Sequence, residues 1–136
     1  MLQPKRMKYR KHFRGKMGGL AVAGSKLNFG EFGLKVTECT WLTANQIEAA
    51  RKAIVHFTKR SGRMWLRVFP DKTFTAKGQG VGMGSGKGDV QGYVAVVKPG
   101  RVVFELSGVP EVTAKEALKR AGDKLPVGTR IISKND

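Results

Sequence analysis

Apolar residues recur along this chain at two spacings, and the spacing names the element. Downstream of Thr43, Ile47, Ala50, Ile54 and Phe57 return every three or four residues, while Lys52, His56 and Lys59 fall on the opposite side. That pattern predicts an amphipathic helix with one basic face. Thr43 and Gln46 stand at capping-box spacing at its start, the hydroxyl able to accept a first-turn N–H and the amide able to reach back to the cap. Its end is expected at Arg60-Ser61-Gly62, where cations complement the negative end of the helix dipole and Gly62 can supply a left-handed cap. A second, shorter helix is predicted from Ala117, Leu118 and Ala121, opened by a capping box of Thr113 and Glu116 and closed at Gly122.

Outside the helices the period falls to two. Phe29 to Cys39 mixes aromatic and β-branched residues with glycines and predicts a strand with a bulge at Gly33. In Met64 to Phe69, Met64, Leu66 and Val68 share one side and Trp65, Arg67 and Phe69 the other, until Pro70-Asp71 stops the strand. Tyr93 to Val97 and Val102 to Leu106 are two more strands. Pro99 and Gly100 between them occupy the centre of a type II turn, so the pair is expected to form a hairpin. A last strand, Thr129 to Ser133, follows Pro126. The alternation also assigns Trp41, Trp65, Phe69 and Phe104 to core packing rather than to stacking on a ligand. The predicted class is α+β, with two helices packed on one face of a mostly antiparallel β-sheet.

Two stretches follow neither period. Residues 1–26 carry Lys5, Arg6, Lys8, Arg10, Lys11, Arg14, Lys16 and Lys26, and the first carboxylate is Glu31. Like charge at this density opposes compaction, so this segment is predicted to be an extended basic arm that seeks a polyanion, with residues 27–136 as a single α+β domain. Tyr9 and Phe13 within the arm are placed to stack on bases. The second stretch, residues 76–90, is a long glycine-rich loop in which Gly78, Gly80, Gly82, Gly84, Gly86 and Gly88 alternate with other residues. It cannot pack a core, and glycine suits a backbone that must come close to a ligand. A flexible connection without a partner is the plain alternative; Lys77 and Lys87 at its flanks favour contact with phosphate.

Charge extends the same theme to the whole chain, with 26 basic against 10 acidic residues among 136, a net +16 and a pI near 10.5. Such a balance points to nucleic acid or an anionic surface. No apolar stretch approaches the ~20 residues of a membrane span, and the Leu20 to Ala23 stretch is too short for a signal sequence, so the chain reads as mature and soluble. Cys39 is the one cysteine, which excludes an intrachain disulfide and suits a reducing compartment. His12 and His56 stand far apart, so no zinc cluster is expected. From Ala49 to Pro70 there are Arg51, Lys52, Lys59, Arg60, Arg63 and Arg67 and no acid, unlike an ordinary salt-bridged surface.

Chemistry is not signalled. Gly86-Lys87 has Val81 five residues before it and Gly88 after it, which breaks the phosphate-loop motif. Counted from Gly78 and Gly80, the dinucleotide fingerprint needs glycine where Met83 stands. Asp71 and Glu105 are not spaced as an acid and base, and no Ser-His-Asp motif is present, so no enzyme, cofactor or small-molecule substrate is expected. An RNA-processing or general nucleic-acid-binding accessory protein is the alternative; a DNA module is opposed by the lack of a helix-turn-helix or zinc pattern.

Motifs in fixed order carry a resemblance: Met1-Leu2-Gln3-Pro4-Lys5-Arg6, Phe32-Gly33-Leu34, Gln46 to Arg51, Arg67-Val68-Phe69-Pro70-Asp71-Lys72, Met83 to Gly88, and Val96 to Arg101. From Met1 to about Ser133 the chain resembles the bacterial and organellar large-subunit ribosomal protein sixteen family. The resemblance implies an α+β protein of the large (50S) subunit, on a cytoplasmic ribosome or that of an organelle. It would bind 23S rRNA beside the A-site tRNA near the peptidyl transferase centre, among neighbouring ribosomal proteins, and join late in assembly. Lys5, Arg6, Lys8, Tyr9, Arg10, Lys11, Phe13, Arg14, Lys16, Arg51, Lys52, Lys59, Arg60, Arg63, Lys77 and Lys87 are then the expected rRNA contacts. Val81, Gly82, Met83, Gly84, Ser85, Gly86, Lys87 and Gly88 would form the tRNA-proximal loop. Gly82 departs from the arginine common before the loop methionine in this family, so that arginine's contacts do not transfer.

Overall fold

The computed structural model describes Gln3, residues 24–76 and residues 89–134; the predicted arm up to residue 23, save Gln3, and the glycine-rich loop from residue 77 to 88 lie outside the described residues. The expected α+β class is observed, in the order β1 (Phe32–Val36), β2 (Thr40–Thr43), α1 (Ala44–Thr58), β3 (Arg63–Leu66), β4 (Lys72–Ala76), β5 (Asp89–Val97), β6 (Val102–Ser107), α2 (Glu111–Gly122) and β7 (Thr129–Ser133). The strands divide into two sheets, one ordered β3-β6-β1-β7 and the other β2-β5-β4. Every pairing is antiparallel. No helix among the described residues is long and apolar enough to cross a membrane.

The first helix starts as its sequence predicts. Thr43 Oγ1 accepts the Gln46 N–H at 3.2 Å, and the Thr43 N–H donates to Gln46 Oε1 at 2.9 Å, closing the capping box. Ile47, Ala50 and Ile54 are buried and Phe57 packs against the same core. The helix stops earlier than expected: the left-handed cap is Lys59 (φ 54°), followed by Arg60 (φ 63°), not Gly62. The Lys59 N–H donates to the His56 carbonyl and the Arg60 N–H to the Val55 carbonyl, so these bonds hold two L-residues in a conformation that costs roughly 1–2 kcal/mol each. At α2 the expected capping box of Thr113 and Glu116 is not used. The Ala114 N–H already donates to the Pro110 carbonyl at 2.9 Å, so Thr113 lies inside the helix and Pro110 stands at its N-cap.

The expected hairpin between Tyr93–Val97 and Val102–Leu106 is absent, although its turn is present. The Arg101 N–H donates to the Lys98 carbonyl at 3.1 Å and Gly100 takes φ 96°, as a type II turn requires. A type II turn splays the strands it joins instead of matching their twist. Here β5 leaves to pair with β2 and β4, while β6 pairs with β1 and β3. The turn is thus the corner between the two sheets. β2 and β4, which the residue pattern does not predict, exist as the two neighbours of β5. The expected bulge at Gly33 is displaced: the register shift against β6 falls between Leu34 and Lys35.

Both sheets and both helices contribute to one core that includes Leu34, Ile47, Ile54, Val97, Phe104, Leu106 and Leu118. Phe104 is fully buried, as expected, and Trp41 and Trp65 are half-buried. Phe69, predicted to be in the core, is 46% exposed, because β3 ends at Leu66 and the alternation does not continue to it.

Thr43→Ala removes the hydroxyl from the cap and is expected to destabilise the protein by about 1 kcal/mol in urea unfolding, with an unchanged m-value. An unshifted midpoint would show that the box contributes nothing.

Candidate nucleic-acid interface

One face of the four-stranded sheet covers the core, with Phe32, Leu34, Phe104 and Leu106 turned toward α2 and α1. Antiparallel partners point to the same side, so the opposite face carries Trp65, Glu105, Gly33 and Ile132 in one row, Arg63 beside Ser107, and Lys35 beside Arg130. Residues 24–31 cross this second face as a strap running along β6. The Gly24 carbonyl accepts from the Val102 N–H at 2.8 Å, and the Glu31 N–H donates to the Leu106 carbonyl at 3.1 Å. Gly30 lies hard against the Leu106 backbone, where an added Cβ would stand 2.9 Å from both its N and its O. Only glycine fits there.

Glu105 locks the strap in place. Its side chain is fully buried, and Oε1 accepts the backbone N–H groups of Asn28 (3.0 Å), Phe29 (2.9 Å) and Gly30 (2.9 Å). Oε2 accepts from Arg67 Nη1, which also donates to the Lys26 carbonyl at 3.3 Å. Burial alone would raise the Glu105 pKa; the three N–H donors and the guanidinium outweigh it and hold the carboxyl below its ordinary 4.5. The buried carboxylate is therefore fully satisfied, and it fixes where the basic N-terminal segment enters the sheet.

Cations border the strap on both sides. On one, a cleft of about 510 Å³ is lined by Lys26, Lys35, Arg130 and Lys134 with Ser25, Leu27, Ile132 and Ser133, and no acid lines it among the described residues. Lys35 and Arg130 stand directly opposite on adjacent strands, an arrangement that like charges disfavour unless an anion lies between them. On the other side, the Arg63 guanidinium lies 5.7 Å from the Trp65 ring centre and that of Arg67 lies 5.3 Å from Phe29. Across the molecule, α1 and α2 enclose a second cleft of about 510 Å³, lined by Ala53, His56, Phe57, Lys59, Arg120, Asp123 and Lys124. Its floor is Phe57, with the Arg120 guanidinium 4.5 Å above the ring.

The acid-free run from Ala49 to Pro70 is therefore not one face. Lys52 is exposed on α1, Lys59 and Arg60 are exposed on the turn that caps it, and Arg63 and Arg67 lie on the far side of the four-stranded sheet. Arg51 is already engaged by Glu48, whose carboxyl it holds below the ordinary value through their hydrogen bond. Lys5, Arg6, Lys8, Tyr9, Arg10, Lys11, Phe13, Arg14, Lys16, Lys77 and Lys87, and the loop Val81 to Gly88, lie outside the described residues. The residue pattern does not single out Lys35, Arg120, Lys124, Arg130 or Lys134, because they are scattered along the chain and only strand register or helix packing assembles them. Among the described residues no group of 3 or more His, Cys, Asp or Glu could hold a metal ion.

Residues 4–132 match the family described as ribosomal protein L16p/L10e. The chain is 58% identical over 132 residues to the large ribosomal subunit protein uL16 of Kosmotoga olearia, covering 97% of this chain and 94% of that one. It is 54% identical over 136 residues to the protein of the same name from Pseudothermotoga lettingae (100% and 96%), and 55% identical over 135 residues to that of Lactobacillus gasseri (99% and 93%).

Because Glu105 titrates lower in the folded state than in the unfolded chain, its stabilisation is present above the unfolded carboxyl pKa and is lost as pH falls toward the folded value. Glu105→Gln is expected to cost roughly 3 kcal/mol at neutral pH, by stranding Arg67, and to flatten the loss of stability below about pH 5. Parallel pH profiles for variant and parent in urea unfolding would refute the ion-pair account.

Proposed function

The chain belongs to the ribosomal protein L16p/L10e family, and from that premise we propose that it binds 23S rRNA through its cationic clefts and arm and lies beside the A-site tRNA. As a family member it is a structural constituent of the large ribosomal subunit and not an enzyme, and its partners are rRNA and other ribosomal proteins. The finer reading rests on one observation above the rest: the cleft of Lys26, Lys35, Arg130 and Lys134, with no acid among its described lining residues, sits beside the strap of residues 24–31, which follows the basic arm in sequence. The cleft offers a track for a phosphate backbone, and the arm adds further cations in the sequence that leads into the strap. Lys52, Lys59 and Arg60, with Arg120 and Lys124 of the helix cleft, form a second site of contact on the opposite side. A protein with cations on both sides can hold two RNA segments together, which suits a role in late subunit assembly. The glycine-rich loop, flanked in sequence by Lys77 and Lys87, is the element we assign to the A-site tRNA.

Charge reversal tests the track. Lys35→Glu with Arg130→Glu removes two exposed or half-exposed charges without touching the core, so the fold should persist. Affinity for large-subunit rRNA should fall, and the log–log salt slope should become shallower by roughly 0.7–0.9 for each phosphate that is no longer neutralised. Unchanged affinity and slope would remove the cleft from the interface. Lys59→Glu with Arg60→Glu should likewise impair incorporation into large subunits, read by sucrose-gradient sedimentation of tagged protein. Full incorporation would remove that turn from the interface.

A further inference from the structure

We propose that Phe29 and Trp65 form a stacking platform for an unpaired base of the bound RNA. The proposal deepens the rRNA-binding reading and rests on it. The two rings lie 5.9 Å apart at 21°, a stacked pair, yet Phe29 is 58% exposed. An aromatic ring left this open gives up most of the burial that ordinarily justifies it. Its position does not depend on burial: the Phe29 N–H is held by Glu105 Oε1 at 2.9 Å, between two further bonds of the same kind, so the ring is preset on the sheet face. Trp65 projects from β3, an edge strand of its sheet, which leaves the approach to the pair unobstructed by a further strand.

The flanking charges specify the occupant. Arg63 and Arg67 place a guanidinium near each ring, at 5.7 and 5.3 Å from the ring centres. The Arg67 guanidinium is paired with Glu105 and so fixes the ring of Phe29, whereas Arg63 sets a cation beside the π-surface; that combination suits a group that is flat, aromatic and joined to anions, which describes a nucleotide and not an apolar peptide. A base within an A-form helix shows only its edges to a protein, so a ring face is offered to Phe29 and Trp65 only by a base in a loop, a bulge or a strand end. Phosphates on either side of that base would meet Arg63 and the neighbouring Lys26. The pair thus adds recognition of unpaired RNA to clefts that neutralise phosphate without regard to base.

The full chain carrying Trp41→Phe retains Trp65 as its one indole, since the sequence holds 2 tryptophans. On mixing with full-length large-subunit rRNA, Trp65 emission is expected to be quenched. Oligoadenylate should compete for the quench and an RNA duplex of equal charge should not. Phe29→Leu should weaken rRNA binding roughly tenfold with an unchanged salt slope, because a neutral ring is removed, and Phe29→Trp should restore it. Constant Trp65 emission at saturation, equal competition by the duplex, or full affinity in folded Phe29→Leu would overturn the platform while rRNA binding itself stood. If Phe29→Leu fails to fold by circular dichroism, the emission and competition readouts decide alone. Absence of any rRNA binding by the parent chain would overturn platform and rRNA reading together.

Discussion

A single buried carboxylate organises the side of this protein that faces away from its helices. Glu105 sits at the centre of the four-stranded sheet with no exposure to solvent, and three consecutive backbone N–H groups and one guanidinium converge on it. A charge in that position is tolerated only when every lone pair finds a donor, and here the donors come from a segment that would otherwise have no reason to lie on the sheet. In satisfying Glu105, residues 28–30 bring Phe29 over Trp65 and set Lys26 beside Lys35. The geometry of one acid thus positions a face that is otherwise cationic and aromatic.

The second constraint is the corner at Pro99-Gly100. A turn of the mirror-image types would have folded β5 back on β6 and made a single sheet; the type II turn sends them apart. Two smaller sheets result, and α1 and α2 close the core against them. This division leaves one side of the four-stranded sheet uncovered by either described helix, which is the side the strap and its cations occupy. The helices pack against each other at the opposite surface and there enclose the second basic cleft.

Cations on two opposed surfaces are what a ribosomal constituent of this family can use. Each cleft alone is a modest patch of lysine and arginine, and exposed lysines contribute little to folding. In the proposed reading, their arrangement on both sides of the domain would turn charge neutralisation into a cross-link between RNA segments, with the sheet fixing the distance between them.

Much of this was legible in the residues. The period of apolar positions located α1, α2 and five of the seven strands, the Thr43–Gln46 cap was identified residue for residue, and the α+β class and the family followed from motifs in order. These are local properties, decided within a few residues by dihedral preference and side-chain spacing. What the residues did not disclose depends on partners distant in sequence. β2 and β4 became strands through β5, and the hairpin was undone by competing partners for both of its arms. Glu105, unremarkable between Phe104 and Leu106, acquired its role from Arg67 and from residues 28–30, 75 to 77 positions away. Lys35 and Arg130 likewise meet only because antiparallel register sets them opposite each other. Sequence alone determined which segments are helical, extended or basic; tertiary structure decided which of those segments touch, because register and burial arise from the whole chain closing on one core.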